Sequence, residues 1–232
     1  EKPAINAFHK ASSCVIGNGD TMVLPDVPAT IFEGEAELAL IISKRAVNVK
    51  AADYKQYIFG YTCFIDGSAR GLPPPGNVFF QMKSRDTFCP LGPWIVTADE
   101  IADPQKLGIE LKNNGTTMQK FNTDDMAHQI PRVIEWLSSI HPLEPGDVVA
   151  TGTNHRGLHS FMDGDKVELT IDHVLAYSQR GETGPMKELY DKIYARGWLG
   201  ITYPKEYGGQ GRDRISQYVT PTASTTAISD NQ

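Results

Sequence analysis

Apolar and polar positions alternate in short runs over the first three-quarters of the chain, and turns separate these runs. The alternation of Val167, Leu169 and Ile171 is typical of a strand with one exposed face. Glycine beside aspartate or asparagine, as in Gly17-Asn-Gly-Asp20, marks the turns. The predicted strands are Ala36–Ser43, Gly60–Asp66, Trp94–Thr97, Gly108–Lys112, Asp147–Thr151 and Lys166–Asp172.

Two stretches have helical periodicity instead. The first has Thr123 as its predicted N-cap, and we expect Pro131 to kink or divide it. Core packing explains its apolar stripe, so we assign this helix no chemistry. A second helix is predicted between a Thr183 cap and Gly197. The stripe of the first helix consists of Met126, Ile130, Val133, Ile134 and Leu137.

Composition limits the classes of protein that the chain can represent. Its 232 residues favour one main domain at 1–178, followed by a helical or irregular extension at 179–232 with a poorly ordered end. The net charge of −6, without a basic cluster, argues against nucleic-acid binding. No apolar run approaches the roughly 18 residues of a membrane span. Three cysteines in no metal-binding spacing indicate a reducing compartment. We expect the cytoplasm, or the mitochondrion if a targeting segment lies outside this chain.

Acidic residues stand at the start of Ala36–Ser43, the most apolar of the predicted strands. Glu35 and Glu37 are two positions apart, so in a strand their side chains point to the same face, beside a core. Paired carboxylates are costly there unless a positive charge lies between them, and a divalent cation is the simplest such charge. Asp66, at the end of the next predicted strand, would complete an oxygen-ligand set suited to Mg²⁺, with Mn²⁺ or Ca²⁺ as alternatives.

Basic residues follow the third carboxylate. A cation site beside Arg70 and Lys83 suits an anionic substrate that chelates the metal and develops negative charge on an oxygen. A 2-oxo acid or its enol has these properties. In the competing interpretation, Lys83 and Asp86 form a surface ion pair and Arg70 is a charge at a strand edge.

Four motifs occur in an order that resembles the fumarylacetoacetate hydrolase family. The resemblance spans about residues 7–176, and four ordered motifs are more specific than any single signature. The motifs are Glu35-Ala-Glu-Leu-Ala39, Gly60-Tyr-Thr with Asp66-Gly-Ser-Ala-Arg70, Lys83-Ser-Arg-Asp-Thr-Phe-Cys-Pro-Leu-Gly-Pro-Trp94, and Pro145-Gly-Asp-Val-Val-Ala-Thr-Gly-Thr153.

The resemblance implies a β-rich α+β fold, namely a mixed β-sandwich roll with few short helices that assembles as a homodimer. It also implies Mg²⁺ or Mn²⁺ as the cofactor and a 2-oxo acid as the substrate. The residues that it assigns are Glu35, Glu37 and Asp66 as metal ligands, Lys83, Gly152 and Thr153 as substrate contacts, and Lys83, Arg70 and Asp86 as the catalytic and supporting groups.

Family reactions include hydrolysis of C–C bonds in acylpyruvates, decarboxylation of oxaloacetate-like acids and isomerisation of unsaturated 2-oxo diacids. We expect hydrolytic C–C cleavage of an acylpyruvate or a fumarylacetoacetate-like diketo acid. Decarboxylation and isomerisation are the alternatives within the family. An alternative of another class is a degenerate relative that binds metal without catalysis.

One catalytic feature of the family does not occur in these residues. Family enzymes that cleave C–C bonds carry a His and a Glu on a mobile lid upstream of Phe8, where they activate water. Either this dyad lies outside these residues, or the protein lacks it and has another activity or none. His155 and His159 follow the Thr151-Gly-Thr153 turn and are alternative general bases. Cys89 has no base placed beside it, so we expect a structural thiol.

The end of the chain has a different resemblance. Residues 196–212 are similar to a short stretch of acyl-CoA dehydrogenases. So short a segment cannot form a flavin site, and we therefore expect no dehydrogenase activity. The Gly208-Gly-Gln-Gly211 run lacks the flanking strand and helix of a phosphate-binding loop.

Overall fold

Two five-stranded sheets dominate the computed structural model, which describes residues 3–76, 78–172, 174 and 225–229. The strands are β1 (Val15–Ile16), β2 (Thr21–Leu24), β3 (Ile31–Ile42), β4 (Ile58–Arg70), β5 (Cys89–Thr97), β6 (Gly108–Asn113), β7 (Thr116–Asn122), β8 (Val148–Ala150), β9 (Lys166–Ile171) and β10 (Thr225–Ser229). The helices are α1 (Phe79–Lys83), α2 (Ile130–Ile140) and the 3₁₀ helices Ser12–Cys14, Ala51–Tyr57 and Thr123–Asp125.

The first sheet has the order β1-β5-β4-β3-β8 and the second the order β2-β10-β9-β6-β7. Pairing is parallel between β1 and β5 and between β2 and β10, and antiparallel between the other neighbouring strands of these two sheets. The mixed, strand-rich architecture with short helices confirms the predicted fold class.

The two long central strands of the first sheet, β3 and β4, are buried on both faces over most of their length. On one face, Leu38 and Leu40 of β3 share a core with Ile109 and Leu111 of β6, which joins the two sheets. On the opposite face, a smaller cluster contains Cys14, Ala39, Phe64, Cys89 and Leu91. The most apolar of the predicted strands thus has no solvent-exposed face from Glu33 to Ile42.

The pairing of β3 with β4 places acidic residues on neighbouring strands. The register sets Glu35 opposite Asp66, and Gly34 opposite Gly67. We predicted that β4 ends at Asp66, but it continues to Arg70. The pairing of β3 with β4 continues beyond Asp66 to Arg70, so Asp66 lies within the sheet and not at a strand end.

The predicted start of the first helix is wrong. Thr123 begins only a short 3₁₀ helix, whose cap is the side chain of Asn122. The α-helix begins at Ile130, with Pro131 in its first turn, where proline is tolerated because no intrahelical N–H is needed. The predicted helix is thus divided into a 3₁₀ helix and an α-helix and is not kinked at Pro131.

The second predicted helix, the glycine-rich run, the extension and its boundary lie outside the described residues, apart from the backbone of β10. Within the described part of the chain, no helix is long and apolar enough to cross a membrane.

Candidate metal centre

Three carboxylates converge on the face of the first sheet that carries the smaller cluster. Glu35, Glu37 and Asp66 are all buried, and each offers an oxygen within 4.8 Å of the others. Oxygens bound to one Mg²⁺, Mn²⁺ or Ca²⁺ ion lie about 2.0–2.6 Å from it, so pairs on opposite sides are separated by about 4–5 Å. The donor type and spacing therefore fit a hard divalent cation.

Lys83 is held between two of these carboxylates. It ends α1 and is only 3% exposed, with Nζ at 2.9 Å from Glu35 Oε2 and 2.5 Å from Asp66 Oδ2. Burial lowers the pKa of Lys83, but the carboxylates of Asp66 and Glu35 outweigh this, so the pKa is raised overall. Lys83 is thus a buried cation, and its interpretation as a surface partner of Asp86 is wrong.

Arg70 supports the same cluster from the end of β4. Its Nε donates to Glu33 Oε1 at 2.6 Å, and a terminal guanidinium nitrogen donates to Glu35 Oε1. Burial lowers the pKa of Arg70, but its bonds to Glu33 and the charge of Glu35 raise it overall. Arg70 therefore fixes one Glu35 oxygen, and Lys83 fixes the other.

A third cation, Lys10, was not predicted from the sequence. Its ammonium donates to Asp66 Oδ1 and to the carbonyl oxygens of Phe88, at 3.1 Å, and Gly67, at 3.4 Å. These acceptors use all three ammonium hydrogens. Lys10 is 56 positions from Asp66 in the chain and lies in no periodic element, so no sequence signal pointed to it.

The ionisation of Glu37 is strongly perturbed by its surroundings. Burial, with the charges of Asp66 and Glu35, raises the pKa of Glu37 to about 8 in the absence of metal. The backbone N–H of Gly152 donates to Glu37 Oε2 at 2.7 Å and partly opposes this rise. A bound divalent cation would supply the missing positive charge and favour the ionised form.

The Thr151-Gly-Thr153 turn lies beside the carboxylates. Thr151 Oγ1 donates to the Leu38 carbonyl at 2.8 Å, which fastens the turn to β3. Thr153 Oγ1 accepts a hydrogen bond from Gln119 Nε2 at 3.1 Å. The two predicted substrate contacts in this turn, Gly152 and Thr153, are thus brought to the metal centre.

The remaining predicted site residues, His155, His159 and Asp86, have exposed side chains. His155 Nε2 lies 3.8 Å from Glu35 Oε1, although the His155 side chain is 73% exposed. His159 is exposed and lies close enough to Asp165 to lower the pKa of that carboxyl group. Asp86 is also exposed, and its supporting role stays a prediction.

Cys89 is buried beside a second cysteine. A hydrogen bond with Cys14, together with burial, raises the pKa of the Cys89 thiol above its usual range. The thiol is therefore un-ionised at neutral pH, as a structural cysteine would be.

A cleft of about 1650 Å³ opens at the carboxylates. One wall is the chain segment 3–13, where the Phe8 ring stacks on Phe79 at 4.8 Å and lies 5.5 Å from Lys83 Nζ. Away from the carboxylates, the cleft is lined by apolar side chains of the sheet and of α2. The cleft can therefore place a small acid at the carboxylates and an apolar group beyond them.

Charge balance decides what the centre attracts. Four carboxyl groups, those of Glu33, Glu35, Glu37 and Asp66, face three basic groups. With Glu37 protonated the charges cancel. If a divalent cation replaced that proton, the group as a whole would carry one positive charge and attract an anion. The basic groups are Lys10, Arg70 and Lys83.

The fold and the site define a two-sheet protein with a buried carboxylate trio that could hold a divalent cation. Comparison of the chain with protein families specifies the class. The family model described as fumarylacetoacetate (FAA) hydrolase C-terminal matches residues 1–185, and the chain belongs to this family. A second model, the acyl-CoA dehydrogenase N-terminal domain, matches residues 167–225.

Several relatives have named activities. The mitochondrial oxaloacetate tautomerase of Xenopus laevis is 40% identical over 148 residues, which is 63% of this chain and 46% of that protein. The structure of maleylpyruvate hydrolase from Sphingobium sp. SYK-6 with manganese and pyruvate is 42% identical, with a TM-score of 0.66 over 71% of this chain and 60% of that one.

A third similarity extends further along the chain. The 2-hydroxyhepta-2,4-diene-1,7-dioate isomerase structure from Mycobacterium marinum is 27% identical, with a TM-score of 0.72 over 99% of this chain and 71% of that one. The chain thus spans about half to three-quarters of these named relatives.

Proposed function

We propose that the chain carries the catalytic site of a Mg²⁺- or Mn²⁺-dependent enzyme that acts on 2-oxo acids through their enolates. The observation that carries this proposal is the convergence of Glu35, Glu37 and Asp66 beside the buried ammonium of Lys83. A divalent cation held there would polarise a 2-oxo group and so favour its enolate.

The chain's own residues prepare the site for an anion. Lys83 and Arg70 orient the Glu35 carboxylate, and Lys10 and Lys83 orient that of Asp66. Lys83 therefore acts through its two carboxylates. Thr153 and Gly152 line the cleft where the oxo acid would bind.

We propose enolisation of oxaloacetate as the reaction that this geometry supports best. A tautomerase moves one proton between C3 and the enol oxygen and needs no activated water. His155, beside Glu35, is the residue that we assign to this transfer, because a neutral imidazole exchanges protons near pH 7. The oxaloacetate tautomerases among the relatives support this choice over the hydrolysis that the sequence alone favoured.

An ultraviolet assay of oxaloacetate enolisation tests the proposal. With Mn²⁺ we expect catalysis that is lost with chelator and reduced at least about hundredfold in Glu35→Gln. Glu168→Gln, at an exposed ion pair with Lys166 on β9, is the matched control and should keep full activity. Metal-loaded protein that binds oxalate but turns over no 2-oxo acid would instead support the non-catalytic alternative.

Hydrolysis of an acylpyruvate is the second candidate. The similarity to maleylpyruvate hydrolase favours it, and His155 would then activate water. Product analysis separates the candidates, since hydrolysis releases pyruvate and a second acid, whereas tautomerisation releases neither. Decarboxylation of oxaloacetate would be identified by release of CO₂.

We further propose that the protein is a cytoplasmic homodimer that binds neither nucleic acid nor membranes. Its acidic charge disfavours nucleic acid. Several large apolar side chains are exposed, and a second copy would bury them. The most exposed of them are Phe80 and Met162, which lie outside the cleft. Light scattering should give twice the mass of 25.5 kDa, and a single-chain mass would contradict the dimer.

A further inference from the structure

Gln119 is a buried amide that joins three parts of the molecule. It lies on β7 in the second sheet and is only 1% exposed. Its Oε1 accepts from the backbone N–H of Ala36 at 3.0 Å, between Glu35 and Glu37. Its Nε2 donates to Thr153 Oγ1 at 3.1 Å and to the Asn154 carbonyl at 2.6 Å.

These contacts fix which way the amide points. Only its oxygen can accept from Ala36 N–H, and only its nitrogen can donate to the Asn154 carbonyl. A buried amide is costly unless its hydrogen bonds are made, and here both N–H groups and the oxygen are engaged. The amide is therefore held in one orientation between the carboxylate strand and the turn.

The orientation of Gln119 determines the role of the Thr153 hydroxyl. A hydroxyl has one hydrogen to donate and two lone pairs to accept with. Gln119 occupies a lone pair, which leaves the hydroxyl hydrogen for another acceptor. Among the described residues, no acceptor for it is identified, and Thr153 lines the cleft. The hydroxyl is thus prepared to donate to a group that enters the cleft.

We propose that Gln119 is a positioning residue that holds the Thr153 hydroxyl as a hydrogen-bond donor toward the carboxylate of a bound 2-oxo acid. The proposal rests on the proposed function, because it takes Thr153 to contact that acid. An ionised carboxylate only accepts hydrogen bonds, so it needs a donor at this place.

Gln119→Glu replaces the donor that faces Thr153 with an oxygen at nearly constant side-chain volume. In neither protonation state does the new carboxyl group donate to Thr153, because the ionised form has no hydrogen and the protonated form gives its single hydrogen to the Asn154 carbonyl. The Thr153 hydroxyl therefore turns to it and is lost to the ligand. Thr153→Val removes the hydroxyl itself. If Gln119 acts through Thr153, the two substitutions remove the same bond, and their effects are not additive.

The experiment is a double-mutant cycle that measures oxalate binding to Mn²⁺-loaded protein by calorimetry. We expect each single variant to weaken oxalate about tenfold, the loss of one hydrogen bond to a charged group. The double variant should match Thr153→Val within about twofold, and the Mn²⁺ affinity of all variants should stay within about twofold. Thr153→Ser, which keeps a hydroxyl, should restore most of the affinity.

Gln105→Glu is a matched control. Gln105 also bridges backbone groups, accepting from Ile130 N–H and donating to the Thr123 carbonyl, and it does not line the cleft. Its substitution should leave oxalate affinity unchanged. If Gln119→Glu does not fold, Gln119→Met replaces it in the same cycle.

Three results would overturn the inference while leaving the proposed function in place. The first is an unchanged oxalate affinity in Gln119→Glu, and the second is an equal additional loss in the Thr153→Val background. A loss of Mn²⁺ affinity parallel to that of oxalate would show a general distortion and would also overturn it. Wild-type protein that binds no Mn²⁺ would remove the proposed function and this role together.

Discussion

The electrostatics of single residues explain why four carboxyl groups can lie together beside a core. Lys83 and Arg70 each donate to an oxygen of Glu35, and Lys10 and Lys83 each donate to an oxygen of Asp66. Buried ions are stable only when they are paired and hydrogen-bonded. The three basic side chains therefore stabilise the centre even without metal.

Removing Lys83 should destabilise the metal-free protein. Lys83→Met keeps the length of the side chain but leaves Glu35 and Asp66 each without one partner. We expect a loss of about 2–3 kcal/mol in the free energy of unfolding, measured with denaturant. Lys106→Met, at an exposed pair with Asp103, is the control and should be neutral within error. Equal losses in the two variants would contradict the buried pairing.

The raised pKa of Glu37 predicts how pH affects stability and metal binding. Between the ordinary value of 4.5 and about 8, the folded metal-free protein holds a proton that the unfolded chain has lost. The stability of the metal-free protein should therefore fall as pH rises through this window. Mn²⁺ displaces the proton, so its affinity should rise with pH, by up to about tenfold per pH unit.

Calorimetry at about pH 6, 7 and 8 checks this prediction of pH dependence. In buffers with different ionisation enthalpies, the same titrations report the number of protons released when Mn²⁺ binds. An Mn²⁺ affinity that does not change over this range, with no proton release, would contradict the raised pKa of Glu37.

At the scale of the elements, strand identity was predictable where burial imposed a strong pattern. All six predicted strands exist, with shifted ends. β7 was missed because its sequence, Thr116–Asn122, is largely polar, and only Gln119 is buried. The helix start was misplaced because the aspartates after Asn122 stabilise a separate short turn, and Pro131 fits best in a first helical turn.

Gly34, next to Glu35 on β3, packs closely against its neighbours, and this packing can be tested. A Cβ atom added at Gly34 would lie 2.7 Å from Ile65 Cγ2 and overlap the Phe161 ring. Gly34→Ala should therefore cost about 1–3 kcal/mol and, by moving Glu35, weaken Mn²⁺ binding. Gly164→Ala is the control. It strains a positive φ but meets nothing within 4 Å, so it should leave Mn²⁺ affinity unchanged.

Thermal unfolding and Mn²⁺ titration of both glycine variants provide the measurement. Wild-type stability and affinity in Gly34→Ala would show that Ile65 and Phe161 do not pack as tightly against Gly34 as the structure has them.

At the scale of the whole molecule, the sequence predicted the three clustered carboxylates with Arg70 and Lys83 beside them, but not the other residues around them. Glu35 and Glu37 are two positions apart, so any strand that contains them places both side chains on one face. The register that sets Glu35 opposite Asp66 depends on long-range strand pairing, which no local pattern encodes. Lys10 and Gln119 reach the centre from a loop and from the other sheet, so only the tertiary structure identifies them.

We predict that Glu35, Glu37 and Asp66 together bind one divalent cation. Calorimetric titration of wild-type protein with Mn²⁺ at about pH 8 tests it most directly, beside Glu35→Gln, Asp66→Asn and the control Glu168→Gln. We predict one Mn²⁺ per chain for wild type and control, and an affinity at least about a hundredfold weaker in the other two variants. Equal binding by all four proteins, or none by wild type, would contradict the account.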